Sequence, residues 1–196
     1  YSGLSDILEF RDGGLSDKVN DVDCLLVFAT SETDVDQLIS TCASSSPPLK
    51  SLSILLSDSP SATTLSTLST KLASSSIPHT TLLATGELIA GAKEGNTPYR
   101  ISEFSSSSSP SSINPFPLDE AVRIATESVT LPCAHSKTLC VTPASDEKAA
   151  SYLRLKRSSG LTRGQEIGDL ILGGMEKYEA NVLAEEEKKA NAEKEE

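Results

Sequence analysis

The sequence predicts an α/β fold: an incomplete Rossmann-like parallel sheet with helices on both faces and a helical tail at the C-terminus. Two observations carry this expectation. Short, continuous apolar runs recur at 23–30 (DCLLVFAT), 49–58 (LKSLSILLSD) and 79–89 (HTTLLATGELI), and runs of that length without polar alternation are strands buried on both faces. Segments with apolar residues at helical spacing separate them, and strand alternating with helix makes a parallel sheet covered on two sides.

The run at 23–30 leads into SETDVDQLISTCASS, where Val35, Leu38, Ile39 and Cys42 share one helical face behind a cap at Ser31 or Thr33. The second run leads into SPSATTLSTLSTKLASSSI, with Leu65, Leu68 and Leu72 in line and Pro60 ahead of the helix. The third run starts the same plan again. After it, SEFSSSSSPSSINPFP at 102–117 holds too little apolar surface to order itself and reads as a mobile loop. A helix is expected after Pro117, with Ala121, Val122, Ile124, Ala125 and Val129 on its inner side. A last strand, KTLCVTP at 137–143, precedes two helices near SDEKAASYLRLKRS and TRGQEIGDLILGGM, the second stopping at Gly173 and Gly174. The tail at 176–196 is acidic, with Glu and Lys three and four residues apart, which supports a solvated helix. Its apolar anchors are Tyr178, Val182 and Leu183. The expected organisation is therefore one truncated Rossmann-like domain over 1–175, containing the Ser/Pro loop, followed by the tail.

Composition excludes some functions. The 196 residues hold 28 acidic and 17 basic side chains, a formal net charge of -11, and nucleic-acid affinity is carried largely by Lys and Arg. No nucleic-acid partner is expected. No apolar run reaches the roughly 20 residues of a membrane-spanning helix, so a direct span is not expected either. Cys24, Cys42, Cys133 and Cys140 lack paired short spacings; they read as reduced, mostly buried thiols. Cys133, His135 and Cys140 make three conceivable zinc ligands, against the four that a structural site uses. The start, YSGLSDILEF, has no Met, basic region or apolar signal core, and reads as a processed or truncated end.

The stretch KLASSSIPHTTLLATGELIAGAKEGNTPYRI resembles the second half of atypical short-chain dehydrogenases of the NmrA-like kind, in which a helix ends in a run of the form sGipyTilRpg.L, followed by g.tpyri. VNDVDCLLVFATSETDVDQLISTC looks like the fourth strand and helix of that family, PLKSLSILLSD like the fifth strand, and PLDEAVRIATESVTLPCAHSKTLCVT like the late helix and closing strand. The likeness spans roughly residues 19 to 142, with DILEFRDGG a candidate for the third strand.

The resemblance implies a Rossmann-like fold that has lost its chemistry. The family holds its dinucleotide on a glycine-rich first turn, and neither Gly13–Gly14 nor Gly173–Gly174 follows that pattern. Where the family has Arg-Pro-Gly, this chain has Ala84, Thr85 and Gly86, and Ala cannot replace the planar donor fork of Arg. The family's Tyr and Lys pair lies on the helix before the third run, which has no Tyr; Tyr152 and Lys156 match the spacing on a later helix that reads as a surface one. His79 stands where a Tyr is usual. Asp119, Glu120 and Glu127 have no sequence partner for acid–base work, and Asp119 or Asp12 reads as a cap or turn residue. The remnant cofactor contacts are Thr30, Ser57 and Gly86, at the strand ends where open α/β sheets bind ligands. No catalytic residue, metal or cofactor is expected, with NAD(P)H as the cofactor if there is one.

The expected function is a non-catalytic accessory or assembly subunit, partnered by other proteins of a complex that is organellar and membrane-associated, in a plastid ahead of a mitochondrion. The alternatives are an NAD(P)H-dependent oxidoreductase or nucleotide sensor whose N-terminal half is absent from this chain.

Overall fold

The structure, a computed structural model, describes residues 22–29, 32–44, 49–90, 97–105 and 115–195. The expected readings at DILEFRDGG, Gly13–Gly14, Thr30 and Ser31, and most of the Ser/Pro tract, lie outside those residues. Strand β1 (Cys24–Ala29) leads to helix α1 (Glu32–Ala43), β2 (Ser51–Leu56) to α2 (Ala62–Ala73), and β3 (His79–Thr85) to a two-residue strand β4 (Leu88–Ile89). β5 (Tyr99–Glu103), β6 (Phe116–Pro117), α3 (Leu118–Ser128), a 3-10 turn at Pro132–Ala134 and β7 (Lys137–Pro143) follow, then α4 (Glu147–Ser158), α5 (Arg163–Ile171) and α6 (Gly174–Glu195). The main sheet runs β1-β2-β3-β7-β5; β4 and β6 make a separate short ribbon.

The first four strands are parallel, in the register Cys24↔Ser51, Ser51↔His79 and Thr81↔Lys137. This is the α/β fold expected, a mostly parallel sheet with helices on both faces. Alternation along each strand divides the core into two layers. Leu52, Ile54, Leu56, Leu82, Ala84 and Cys140 pack against Val35, Leu38, Ile39, Leu65, Leu68 and Leu72 of α1 and α2. Leu55, Leu83, Leu139 and Val141 pack against Ala121, Ile124 and Ala125 of α3 and Ile167 and Leu170 of α5. All six residues of β2 are buried, which explains its unbroken apolar run.

Local chemistry starts the helices where the sequence changes character. Ser61 caps α2 by accepting from the Thr64 amide, Asp146 caps α4 through the Ala149 amide, and Thr162 with Gln165 forms a capping box on α5. Pro117 opens α3, as expected. Many surface hydroxyls bond back to helix carbonyls: Ser40 to Asp36, Thr41 to Gln37, Thr70 to Ser66, and Ser74 to Thr70.

Four expectations change. The run at 79–89 is not one strand; the chain turns at Gly86 and Glu87 and resumes as β4. Residues 99–103, the last two of them expected in the Ser/Pro loop, form β5, antiparallel to β7 in the register Tyr99↔Pro143 and Ile101↔Val141. Tyr99 and Ile101 fill the core from that strand while Ser102 and Glu103 stay exposed, so Ser102 and Glu103 belong to a strand and not to the Ser/Pro loop. The helix carrying Tyr152 and Lys156 is not simply a surface helix, because Tyr152 is 1% exposed. Gly174 begins α6 instead of ending α5; Gly173, with φ 76, makes the break alone. The tail is helical, with Met175 buried and Leu183 half exposed. No helix among the described residues is long and apolar enough to cross a membrane.

Candidate functional site

The C-terminal rim of the sheet is where an open α/β fold places ligands, and it brings Ser57 and Gly86 onto neighbouring strand ends. Leu56 and Ala84 are register partners, so Ser57 and Thr85 come next on β2 and β3. The Ser57 amide donates to the Ala29 carbonyl at 3.2 Å, and the Ser59 amide to the Thr85 carbonyl at 3.0 Å. Between them the backbone is left-handed at two successive residues, Asp58 with φ 67 and Ser59 with φ 56. Each such residue costs on the order of 1–2 kcal/mol. The turn throws the chain from β2 across the end of β3 and into the cap of α2. Thr30, the third expected contact, lies outside the described residues.

Two hydroxyls at this rim are buried without a hydrogen-bond partner, Ser59 Oγ and Thr85 Oγ1. Thr85 is 0% exposed. Its side chain shares the layer of Leu83, under α3, by strand alternation. Over residues 57–61 and 85–87 the ionisable side chains are Asp58 and Glu87, both exposed. These segments can therefore donate and accept hydrogen bonds, but the described residues within them include no acid–base pair and no cation to meet a phosphate. Ser57 and Gly86 lie at the strand ends where their sequence positions place them; Ser59 and Thr85 are not among the expected contacts. The segment DSP signals a turn, but neither left-handed backbone nor an orphaned hydroxyl is visible in residue types.

Tyr152 and Lys156 are brought together on Asp169. Tyr152 Oη donates to Asp169 Oδ2 of α5, and Lys156 Nζ lies 2.8 Å from the same oxygen and 5.3 Å from the Tyr152 ring centre. The Tyr152 phenol is raised above its ordinary value, by burial first and then by its bond to Asp169 and the Asp169 charge. A catalytic Tyr needs a shift in the opposite direction. Burial works to raise the Asp169 carboxyl, but hydrogen bonds from Lys156 and Tyr152 more than offset it and hold the group below its usual range. A side chain at Gly174 would collide with the Asp169 carboxylate and the Tyr152 hydroxyl, so the start of α6 covers the tyrosine hydroxyl while Lys156 and Asp169 stay partly exposed.

A second polar cluster joins β5, α3, α4 and α5. Glu166, 1% exposed, accepts from Tyr99 Oη at 3.0 Å and from Arg157 Nε at 2.9 Å, while Arg163 Nη2 reaches Glu120 at 3.2 Å. Two buried carboxylates facing two guanidinium groups leave no net charge, which is the condition for burying them. Burial, followed by the Glu166 and Glu120 charges, pushes the Tyr99 phenol up. Glu120 is thus a structural partner, while Asp119 and Glu127 line a groove of about 610 Å³ with Leu118, Val122, Arg123 and Arg163 on the outside of α3. Another groove, of about 430 Å³, lies between α1 and α2 around Asp36 and Lys71.

Of the remaining candidates, His79 and His135 sit at the opposite end of the sheet, whereas Cys140 pairs with Ala84, one residue from the C-terminal rim. His79 is exposed and its ring stacks on His135, with centroids 4.1 Å apart. Cys140 is buried in the layer under α1 and α2. The described residues include no group of three or more His, Cys, Asp or Glu placed to hold a metal. No family model, curated protein or solved structure matches the chain.

Proposed function

We propose that the chain is a non-catalytic, Rossmann-like accessory or assembly subunit of a larger organellar, membrane-associated complex, with a plastid stroma or thylakoid surface as its setting. The supporting observation is the unfinished sheet. β1 is an end strand, paired among the described residues with β2 alone, and Phe28 on it is 49% exposed. Working proteins cover or disarm such edges, and another subunit supplies the cover in this reading. The rim supports it as well: Asp58 and Glu87 would repel the phosphates of a dinucleotide.

The test is a titration of the folded chain with NADPH and NADH by calorimetry. No saturable binding up to millimolar nucleotide is expected. Saturation in the micromolar range would overturn the proposal.

A second reading has one observation in its favour. Ser59 and Thr85 hold buried hydroxyls without partners, beside two left-handed residues, at the end of the sheet suited to ligands. That is how a nucleotide-binding oxidoreductase or NAD(P)H sensor would look if its dinucleotide-binding half lay on another chain. Micromolar saturation in the same titration would favour this second reading, since the rim of Ser57, Ser59, Thr85 and Gly86 would then hold nucleotide without the other half.

A further inference from the structure

The outer edge of β1 is specific enough to describe what fits it. The carbonyls of Asp23 and Ala29 accept from Ser51 and Ser57 on the β2 side. A residue's N–H and C=O point to one edge and those of the next residue to the other, so the amides and carbonyls of Cys24, Leu26 and Phe28 face outward. The strand CLLVFA holds no proline, lysine or other charge, the features by which edge strands are disarmed. Both of its faces are apolar: Leu25, Val27 and Ala29 pack toward α1 and α2, and Leu26 packs toward α3 with Cys24 and Phe28 in line.

Charge decides between occupants. Asp23, paired with Lys50 at 2.9 Å, precedes the strand, and the exposed Asp58 lies beyond the end of the adjacent β2. A second copy would bring the same exposed Asp58 and, over its whole length, a further net charge of -11, so self-pairing is opposed by repulsion. We propose that β1 accepts, by strand addition, an extended segment of a different chain, apolar on both faces over the length of β1 and carrying Lys or Arg at its ends. This rests on the subunit reading and states the chemistry of the partner.

Amide hydrogen exchange on the whole 196-residue chain tests it. The probes are the peptide Lys-Thr-Val-Ile-Val-Thr-Lys and its counterpart with Glu at both ends. At ten times its dissociation constant the Lys-ended peptide should slow exchange of the Cys24, Leu26 and Phe28 amides about tenfold, while Leu25 and Val27, which face β2, stay unchanged. The Glu-ended peptide should need higher concentrations. Phe28→Pro removes an outward donor where an edge strand tolerates proline and should abolish the protection; Phe28→Ala keeps the backbone and should retain most of it. Four results overturn the proposal: no protection by either peptide, equal protection by both, protection that rises with protein concentration alone, or edge amides already protected in the free chain at every concentration. The third identifies a second copy as occupant and the fourth a segment of the chain itself. Failure here with no dinucleotide binding leaves the subunit reading intact, whereas dinucleotide binding ends that reading whatever the edge does.

Discussion

Thr85→Val should stabilise the protein, against the usual direction of a buried substitution. Thr85 is 0% exposed, at the C-terminal end of the middle strand β3, and its Oγ1 has no partner. Valine has the same shape and β-branching, so packing and strand preference are kept, and the change exchanges an orphaned hydroxyl for a methyl. An unsatisfied buried hydroxyl costs about 1–3 kcal/mol. Partial relief should therefore raise stability by about 1–2 kcal/mol, which for a chain of this size is a rise in Tm of roughly 3–6 °C. Thermal and urea unfolding followed by circular dichroism would show both midpoints rising with the urea slope unchanged. A fall in either midpoint would refute the reasoning, since it would mean that Oγ1 makes a bond, through an ordered water or a ligand, worth more than its burial. In that case the rim would be a filled site, and the second functional reading would gain from the loss.

The sealed tyrosine gives a contrasting case: Asp169→Ala leaves the Tyr152 hydroxyl without its acceptor and Lys156 without its ion pair, and should lower stability by about 2–3 kcal/mol in urea unfolding. Glu166→Ala removes the buried carboxylate shared by Arg157, Arg163 and Tyr99, leaving Arg163 with Glu120, and should cost about 3 kcal/mol or more, with a matching drop in the urea midpoint. The Tyr99 and Tyr152 phenols are both raised in the folded chain, so the folded state holds these protons more tightly than the unfolded state. Their contribution is complete below the ordinary tyrosine value of about 10 and declines as pH rises above it; midpoints measured upward from neutral pH should fall there, and fall less in Tyr99→Phe. Asp146 and Asp169 shift the other way. Backbone bonding at Ala149, opposed by burial and helped by Arg100, lowers the Asp146 carboxyl, so stability present above the ordinary aspartate value of about 3.9 is lost as pH falls below it, and Asp146→Asn should flatten that acid limb.

How much of this was legible depended on whether residue types alone report the environment. β2, β3 and the middle of β7 are buried on both faces, and their apolar runs show it, whereas the equally apolar run of β1 leaves Cys24 and Phe28 exposed. β5 is an antiparallel edge strand with two core residues, Tyr99 and Ile101, alternating with Arg100 and Ser102; five residues of that pattern resemble a loop. The helices were legible from spacing and caps, yet the partners of their polar residues were not. Tyr152 meets Asp169 and Tyr99 meets Glu166 across separate elements, and no local pattern marks such pairs. At the rim, position identified Ser57 and Gly86, while Ser59 and Thr85 stand out only through a backbone angle and a missing bond.

The hydroxyls of α1 and α2 alter what the low hydrophobic fraction of 37% means. Ser40, Thr41, Thr70 and Ser74 each direct their one donor to a carbonyl four residues back. At these four positions water finds Cβ hydrogens, methyl groups and acceptor lone pairs in place of a free O–H donor. By composition the positions are hydrophilic; toward solvent each is closer to an ether than to an alcohol.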